Sequence, residues 1–339
     1  MRHTTFAALL IGTVVMLTLP AAMAAQRLQV VTSFSILADM ARNVGGEQVE
    51  VRSLVGPDSD AHMFSASPRD ARALADADLV VFNGLQFEGW MERLIESSEY
   101  SGALVVATDG IAKRGYHDHD HDHDDDHGEY DPHAWQDLTL SRVYVGNIRD
   151  GLIAADPGNE SVYRENAGRY INELDLVHAE ISELLAEIPA STSVITGHAS
   201  FGYFADAYGM HFLSPMGLST EAEPSAADMA QLVDVIRQRN VRALFHENMT
   251  SPAVINQLAE ETGLPVAGTL YADALAAEGE ADTYLGMLRH NARVLHAALA
   301  EPGHDDHDHD HDHDHDHDHD HDHDHDHDHD HDHDHDHDH

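Results

Sequence analysis

Three histidines stand where an apolar run gives way to a loop: His62 in GPDSDAHMF, after the run VEVRSLV; His133 in DPHAW; and His198 in VITGHASFGYF. Neutral imidazole is a nitrogen donor for borderline-soft divalent ions, and Asp273 in GTLYADAL offers a carboxylate oxygen at a corresponding place further along. Three imidazoles and one carboxylate form a four-coordinate set suited to Zn2+. A lone histidine is more often packed or solvated than ligating. The weight therefore rests on where these residues stand, because open α/β sheets bind ligands outside the carboxyl ends of their strands.

Most of the 32 histidines lie elsewhere. Eighteen belong to a His/Asp repeat from His304 to His339, and five (His117, His119, His121, His123 and His127) to an internal tract, HDHDHDHDDDH. His178, His290 and His296 fall in long helical patterns and read as structural or surface residues, as does His211 in YGMHFL. Glu247, preceded by His246 in LFHENM, is a further acidic residue that reads as a supporting partner before it reads as a ligand.

The elements that must position these side chains alternate. RLQVVTSFS, VEVRSLV, DLVVFNG and ALVVATDG read as strands, separated by helices in ILADMARNVGG, RDARALADA and WMERLIESS. Strands alternating with helices imply βαβ units and a largely parallel sheet. From Asn159 to Ile188, apolar residues recur at steps of three or four, which predicts one helix of about 45 Å at about 1.5 Å per residue. After Pro189 the alternation restarts through TSVITG, VRALFHE and LPVAGTL. The expected fold is α/β: two lobes, each with a largely parallel sheet flanked by helices, joined by one long rigid helix. The predicted divisions are a signal peptide at 1–24, a first lobe at 25–158, the linking helix at 159–188, a second lobe at 189–302 and a disordered His/Asp tail at 303–339.

Composition narrows the function. The net charge is −44, and removing the 18 aspartates of the terminal repeat still leaves −26, which argues against nucleic acid, whose binding is led by lysine and arginine. The opening MRHTTFAALLIGTVVMLTLPAAMAAQ has an early arginine, an apolar run and a small-residue cleavage site, the pattern of an export signal. With no cysteine, neither a thiolate ligand nor a cysteine-borne lipid is expected, and a free monomer in the periplasm fits best.

From about Leu28 to Ala300 the chain resembles the metal-specific solute-binding proteins of ABC transporters, and most closely those of zinc uptake. The resemblance is carried by VTSFSILADMARNVGG, VGPDSDAHMFSASPRDARALADADLVVFNGLQFEGWMERL, DPHAWQD, TGHASFGYFADAYGM, STEAEPSAADMAQLVDVI and LAEETGLPVAGTLYAD, in the family's order. It implies metal ligands at His62, His133, His198 and Asp273, and a histidine-rich loop before the second ligand, here the tract at His117–His127. It further implies capture of Zn2+ for an ABC transporter permease, with an accessory periplasmic zinc metallochaperone as a second candidate partner. Members that take manganese or iron tend to carry glutamate in place of the third histidine. His198 therefore favours zinc, with manganese as the alternative.

Two other readings compete. A secreted zinc hydrolase would need a water on the metal, which four protein ligands exclude, and the sequence has no HExxH motif; Glu247 is the one candidate base. A passive zinc buffer would need the tracts and not the lobes. Binding and transfer rather than catalysis is expected, with the internal tract as a low-affinity collector beside His133 and the terminal repeat as no more than a buffer.

Overall fold

The computed structural model describes residues 27–116 and 130–300. The expected signal peptide, the tract at 117–127 and the tail at 303–339 lie outside the described residues.

The short runs of branched apolar residues VVT, LVVF and SVI become central strands, buried on both faces as parallel sheets allow, while VEVRS at a sheet edge alternates buried and more exposed residues. In the first lobe the strands are β1 (Leu28–Thr32), β2 (Val49–Ser53), β3 (Leu79–Phe82) and β4 (Ala103–Val106), and all three pairings, in the order β2-β1-β3-β4, are parallel. Helices α1 (Ser35–Gly45), α2 (Pro68–Ala75) and α3 (Met91–Ser98) make the crossovers. Helix α2 starts at Pro68 behind a Ser67/Asp70 capping box, in which each side chain satisfies the other's backbone N–H. The second lobe repeats the plan with β5 (Ser193–Ile195), β6 (His211–Leu213), β7 (Val241–Glu247) and β8 (Val266–Leu270) in the order β6-β5-β7-β8, again all parallel. Its helices are α6 (Gly202–Tyr208), α7 (Ala226–Gln238), α8 (Ala253–Thr262) and α9 (Tyr284–Leu299).

Between β4 and β5 in the chain come α4 (Leu138–Ala155) and α5 (Glu160–Leu185), which pack on each other, with α5 also packed on α1 of the first lobe and α9 of the second. Helix α5 buries Tyr163, Ala167, Tyr170, Leu174, Val177, Ile181 and Leu185 along one stripe. Its 26 residues span about 39 Å. It stops before Pro189, which has no N–H to donate and disfavours helical geometry in the residue ahead of it.

The two sheets do not own two separate cores. One apolar cluster runs from Val30 and Val80 through Tyr144 on α4 and Leu174 on α5 to Phe245, Tyr284 and Leu288 in the second lobe, while a smaller cluster (Ile195, Met229, Leu232, Ile236, Leu244, Leu258) lies under α7 and α8. The lobes are therefore joined by buried side chains as well as by the helix. Among the described residues no helix is long and apolar enough to cross a membrane.

Candidate metal centre

Both sheets place their strand-end loops toward each other, and four side chains from those loops meet. His62, His133, His198 and Asp273, all buried, each offer one donor atom, and these atoms lie within 4.8 Å of one another. Asp273 is central: its Oδ2 lies 3.0 Å from His198 Nε2 and 3.2 Å from His62 Nε2, and its Oδ1 lies 3.6 Å from His133 Nε2. Donors about 2.1 Å from a tetrahedral ion stand about 3.4 Å apart, so the set is already close to coordination spacing.

Each donor is aimed by a partner behind it. The loop after β2 turns at Asp60, whose Oδ1 accepts the backbone N–H of His62 at 2.9 Å and of Met63 at 3.3 Å, while Thr220 of the second lobe donates to its Oδ2 at 2.6 Å. Trp90 Nε1 donates to Ala61 O at 2.7 Å, and Phe87 presses against the His62 ring at 4.7 Å. His133 Nδ1 lies 2.8 Å from Asp131 Oδ1, which also accepts the His133 backbone N–H at 3.0 Å. His198 Nδ1 lies 2.6 Å from Glu247 Oε2, and its backbone N–H and the Ser200 hydroxyl reach Glu247 Oε1. A side chain at Gly197 would bring its Cβ within 2.9 Å of Glu247 Oε2, so the close approach requires glycine. A carboxylate on the far nitrogen fixes the imidazole's tautomer and leaves Nε2 free to bind.

Asp273 is held from the opposite lobe. Trp135 Nε1 and Gln136 Nε2, in the turn that follows His133, both donate to Ala272 O at 2.9 Å. Leu275 N donates to Ser35 Oγ, Asp58 N donates to Leu275 O, and Ala277 N donates to Asp58 Oδ2. The loop that carries a second-lobe donor is thus anchored on the first lobe.

Buried polar atoms normally find partners. Here His62 Nε2, His133 Nε2 and Asp273 Oδ1 are buried and make no hydrogen bond; the 3.2 Å between His62 Nε2 and Asp273 Oδ2 lacks hydrogen-bond alignment. Three orphaned donors converging with a fourth fit a metal cation. Charge fits as well. Burial pushes the Asp273 carboxyl up, but the His198 and His133 imidazoles and the hydrogen bond from His198 outweigh it and hold Asp273 well below the usual carboxylate range. Burial pushes His198 down, yet Glu247 and Asp273 on its two sides hold it well above the ordinary histidine value.

The other described histidines lie apart from this group. His178 meets Tyr208 Oη at 3.1 Å, His290 meets Thr269 O at 3.2 Å, and His296 pairs with Glu187 at 2.5 Å. His211 is the exposed first residue of β6, and His246 keeps a buried, unpartnered Nδ1 away from the four donors. Glu247 is outside the four-residue group and backs His198. Asp60, Asp131, Trp135 and Gln136 were not foreseen. The spacing D-x-H, in Asp60-Ala61-His62 and Asp131-Pro132-His133, could have pointed to both aspartates, but no local pattern marks Trp135 or Gln136.

The model of the family described as zinc-uptake complex component A, periplasmic (ZnuA), matches residues 30–298. The chain belongs to this family. Relatives of the ZnuA-family chain include the manganese-binding lipoprotein MntA of Bacillus subtilis, 33% identical over 282 residues, covering 81% of this chain and 90% of that one. Among solved structures, the periplasmic zinc-binding protein TroA of Treponema pallidum aligns at a TM-score of 0.75 and 29% identity, over 81% of this chain and 100% of that one. A manganese-bound periplasmic metal-binding protein of Candidatus Liberibacter asiaticus aligns at 0.70 and 28%, over 80% and 99%. ZnuA-family proteins are the extracytoplasmic metal-binding components of ABC transporters and are not enzymes, and this chain is one of them. The relatives named as lipoproteins stand against the expectation of a chain without a lipid anchor; the sequence itself contains no cysteine.

Proposed function

We propose that the chain captures Zn2+ with His62, His133, His198 and Asp273 and hands it to the permease of an ABC importer. The observation that carries this reading is the convergence of three buried, unpartnered donor atoms with His198 Nε2, three of the four being imidazole nitrogens. Imidazole suits zinc, whereas carboxylate- and water-rich sites suit manganese. Zinc is cargo here. Binding requires neutral imidazoles, so a proton on His198 leaves as the ion enters. Asp273 supplies the negative charge that the cation neutralises.

Manganese is the second reading, favoured by the name of the Bacillus subtilis relative. Divalent ions generally bind nitrogen and oxygen sites in an order that puts Zn2+ above Mn2+, so affinity alone does not name the physiological cargo. Metal content of the protein purified from its native compartment, together with Zn2+/Mn2+ competition, tests the proposal. Zinc retained at about one tightly held ion per chain supports it. Manganese retained under zinc-replete conditions contradicts it. The tract at His117–His127 is proposed as a low-affinity collector; its deletion should slow loading at limiting zinc and leave the tight site intact.

A further inference from the structure

The two second-lobe donors are attached to the first lobe very differently. Asp273 rides on a loop whose backbone is bonded to Trp135, Gln136, Ser35 and Asp58. His198 precedes α6. Besides the apolar packing of Phe201 and Phe204, that helix reaches the segment bearing His133 through one cluster of polar groups, and Arg114 is at its centre.

Arg114 Nε donates to Asp206 Oδ2 on α6 at 2.9 Å, and its Nη1 lies 3.5 Å from Oδ2 of Asp131, a carboxylate with no exposed surface. The other oxygen of Asp131 is the one that orients His133. The backbone supports the same junction. Arg114 N donates to Tyr203 Oη, Tyr203 Oη donates to Asp131 O at 3.2 Å, and Asp131 N donates to Arg114 O at 2.9 Å. Gly202, the first residue of α6, lies directly beneath: a Cβ there would sit 2.5 Å from Asp131 Oδ2 and 2.6 Å from Arg114 Nη1. One guanidinium therefore joins the carboxylate behind His133 to the helix that follows His198.

We propose that Arg114 is a positioning residue that sets the rate of metal release, by latching α6 to Asp131 so that His133 and His198 stay fixed relative to each other. The proposal rests on the four-residue metal site argued above. It concerns release because the Asp273 loop is bound to the first lobe by one backbone–backbone bond and by the buried side chains of Trp135, Gln136 and Ser35, whereas a partly exposed guanidinium can let go. Loss of the latch leaves all four donors in place and loosens one angle between them.

The test is a chelator chase of the full-length Zn2+-loaded protein, scoring the slow phase, which reports the tight site, apart from the fast loss of ions held by the histidine tracts. Arg114→Ala keeps the backbone bonds and is expected to raise the slow dissociation rate about tenfold or more, the scale seen when groups behind a ligand are removed, with little change in association. Arg114→Lys, which can reach only one of the two carboxylates, is expected to fall between. Gly202→Ala, which displaces the pair without removing a charge, is expected to mimic Arg114→Ala. If it fails to fold, Asp206→Asn replaces it, and is also expected to speed release. The Co2+-loaded variants should show shifted d–d bands, which a purely structural salt bridge would leave alone. A folded Arg114→Ala protein with the wild-type slow rate and an unchanged Co2+ spectrum overturns the proposal. A wild-type protein with no slow phase at all overturns the four-residue site instead.

Discussion

Replacing Glu247 by glutamine tests the electrostatics of the site in two directions at once. Glu247 accepts from His198 Nδ1 at 2.6 Å through one oxygen, and from the His198 backbone N–H and the Ser200 hydroxyl through the other. A glutamine can turn its oxygen to Nδ1 or to the backbone N–H, and its amide NH2 then confronts a donor on the other side. One buried donor is left unsatisfied, at about 1–3 kcal/mol. Partners behind a metal-bound histidine are typically worth 10–100-fold in affinity, or about 1.4–2.8 kcal/mol, which agrees in scale. The opposing effect is proton competition. Glu247 helps to hold His198 well above its ordinary value, so in the metal-free protein the ring keeps its proton to higher pH than a free histidine does, and that proton must leave before the ion binds. Affinity of the wild type should thus rise with pH through the region above the ordinary histidine value and fall as pH drops through it. Glutamine lowers that proton affinity, so its loss of zinc affinity should be larger at about pH 8.5 than at about pH 6. Calorimetric competition titrations at both pH values read this directly. A variant with wild-type affinity and the wild-type pH slope would refute the reasoning.

Glu88, fully buried, accepts from Ser33 Oγ at 2.6 Å, Asn83 N at 2.7 Å and Gly84 N at 3.2 Å, and burial raises its pKa above the ordinary 4.5. The folded state then holds a proton that the unfolded state has lost, so stability falls as pH rises from the ordinary value through the raised one. Glu88→Gln should remove that part of the slope in denaturant melts. Trp135→Phe deletes one of the two hydrogen bonds to Ala272 O and should destabilise by about 1 kcal/mol in the same melts, with faster zinc loss because Asp273 is less firmly held. Leu174→Ala, in the middle of α5 with no exposure, should cost about 2–5 kcal/mol in thermal or chemical unfolding while leaving the zinc affinity of the folded fraction unchanged.

The architecture was legible where physics is local. VVT, LVVF and SVI read as buried parallel strands because they carry no alternation, and α5 because its apolar spacing never slips. The candidate donors His62, His198 and Asp273 were legible because they stand in loops that follow recognised strands, whereas His133 lies far beyond β4 and stood out by its place after the histidine tract. Helix α4 was not marked as an element: Gly146 and Gly151 interrupt its pattern, and packing on β3 and β4 overrides that weak propensity. Strand β6 is three residues long at a sheet edge, too short for any period to show. Among the groups behind the donors, Glu247 was read as a supporting partner, but its pairing with His198 was not legible, nor was Thr220. Glu247 meets His198 across 49 residues, and Thr220 meets Asp60 across 160, separations that only the folded chain closes. The shared core was equally hidden, since a sequence that alternates twice suggests two independent lobes and does not reveal that Tyr284 donates to the carbonyl of Trp135 in the other one.

The central claim is that one ion sits among His62, His133, His198 and Asp273. Anomalous diffraction at the zinc absorption edge, from crystals of protein loaded with one equivalent of Zn2+, tests it most directly. The predicted peak lies about 2.0–2.2 Å from the Nε2 atoms of the three histidines and from a carboxylate oxygen of Asp273. A peak bound by other residues, or one that leaves any of these four uncoordinated, would contradict the account.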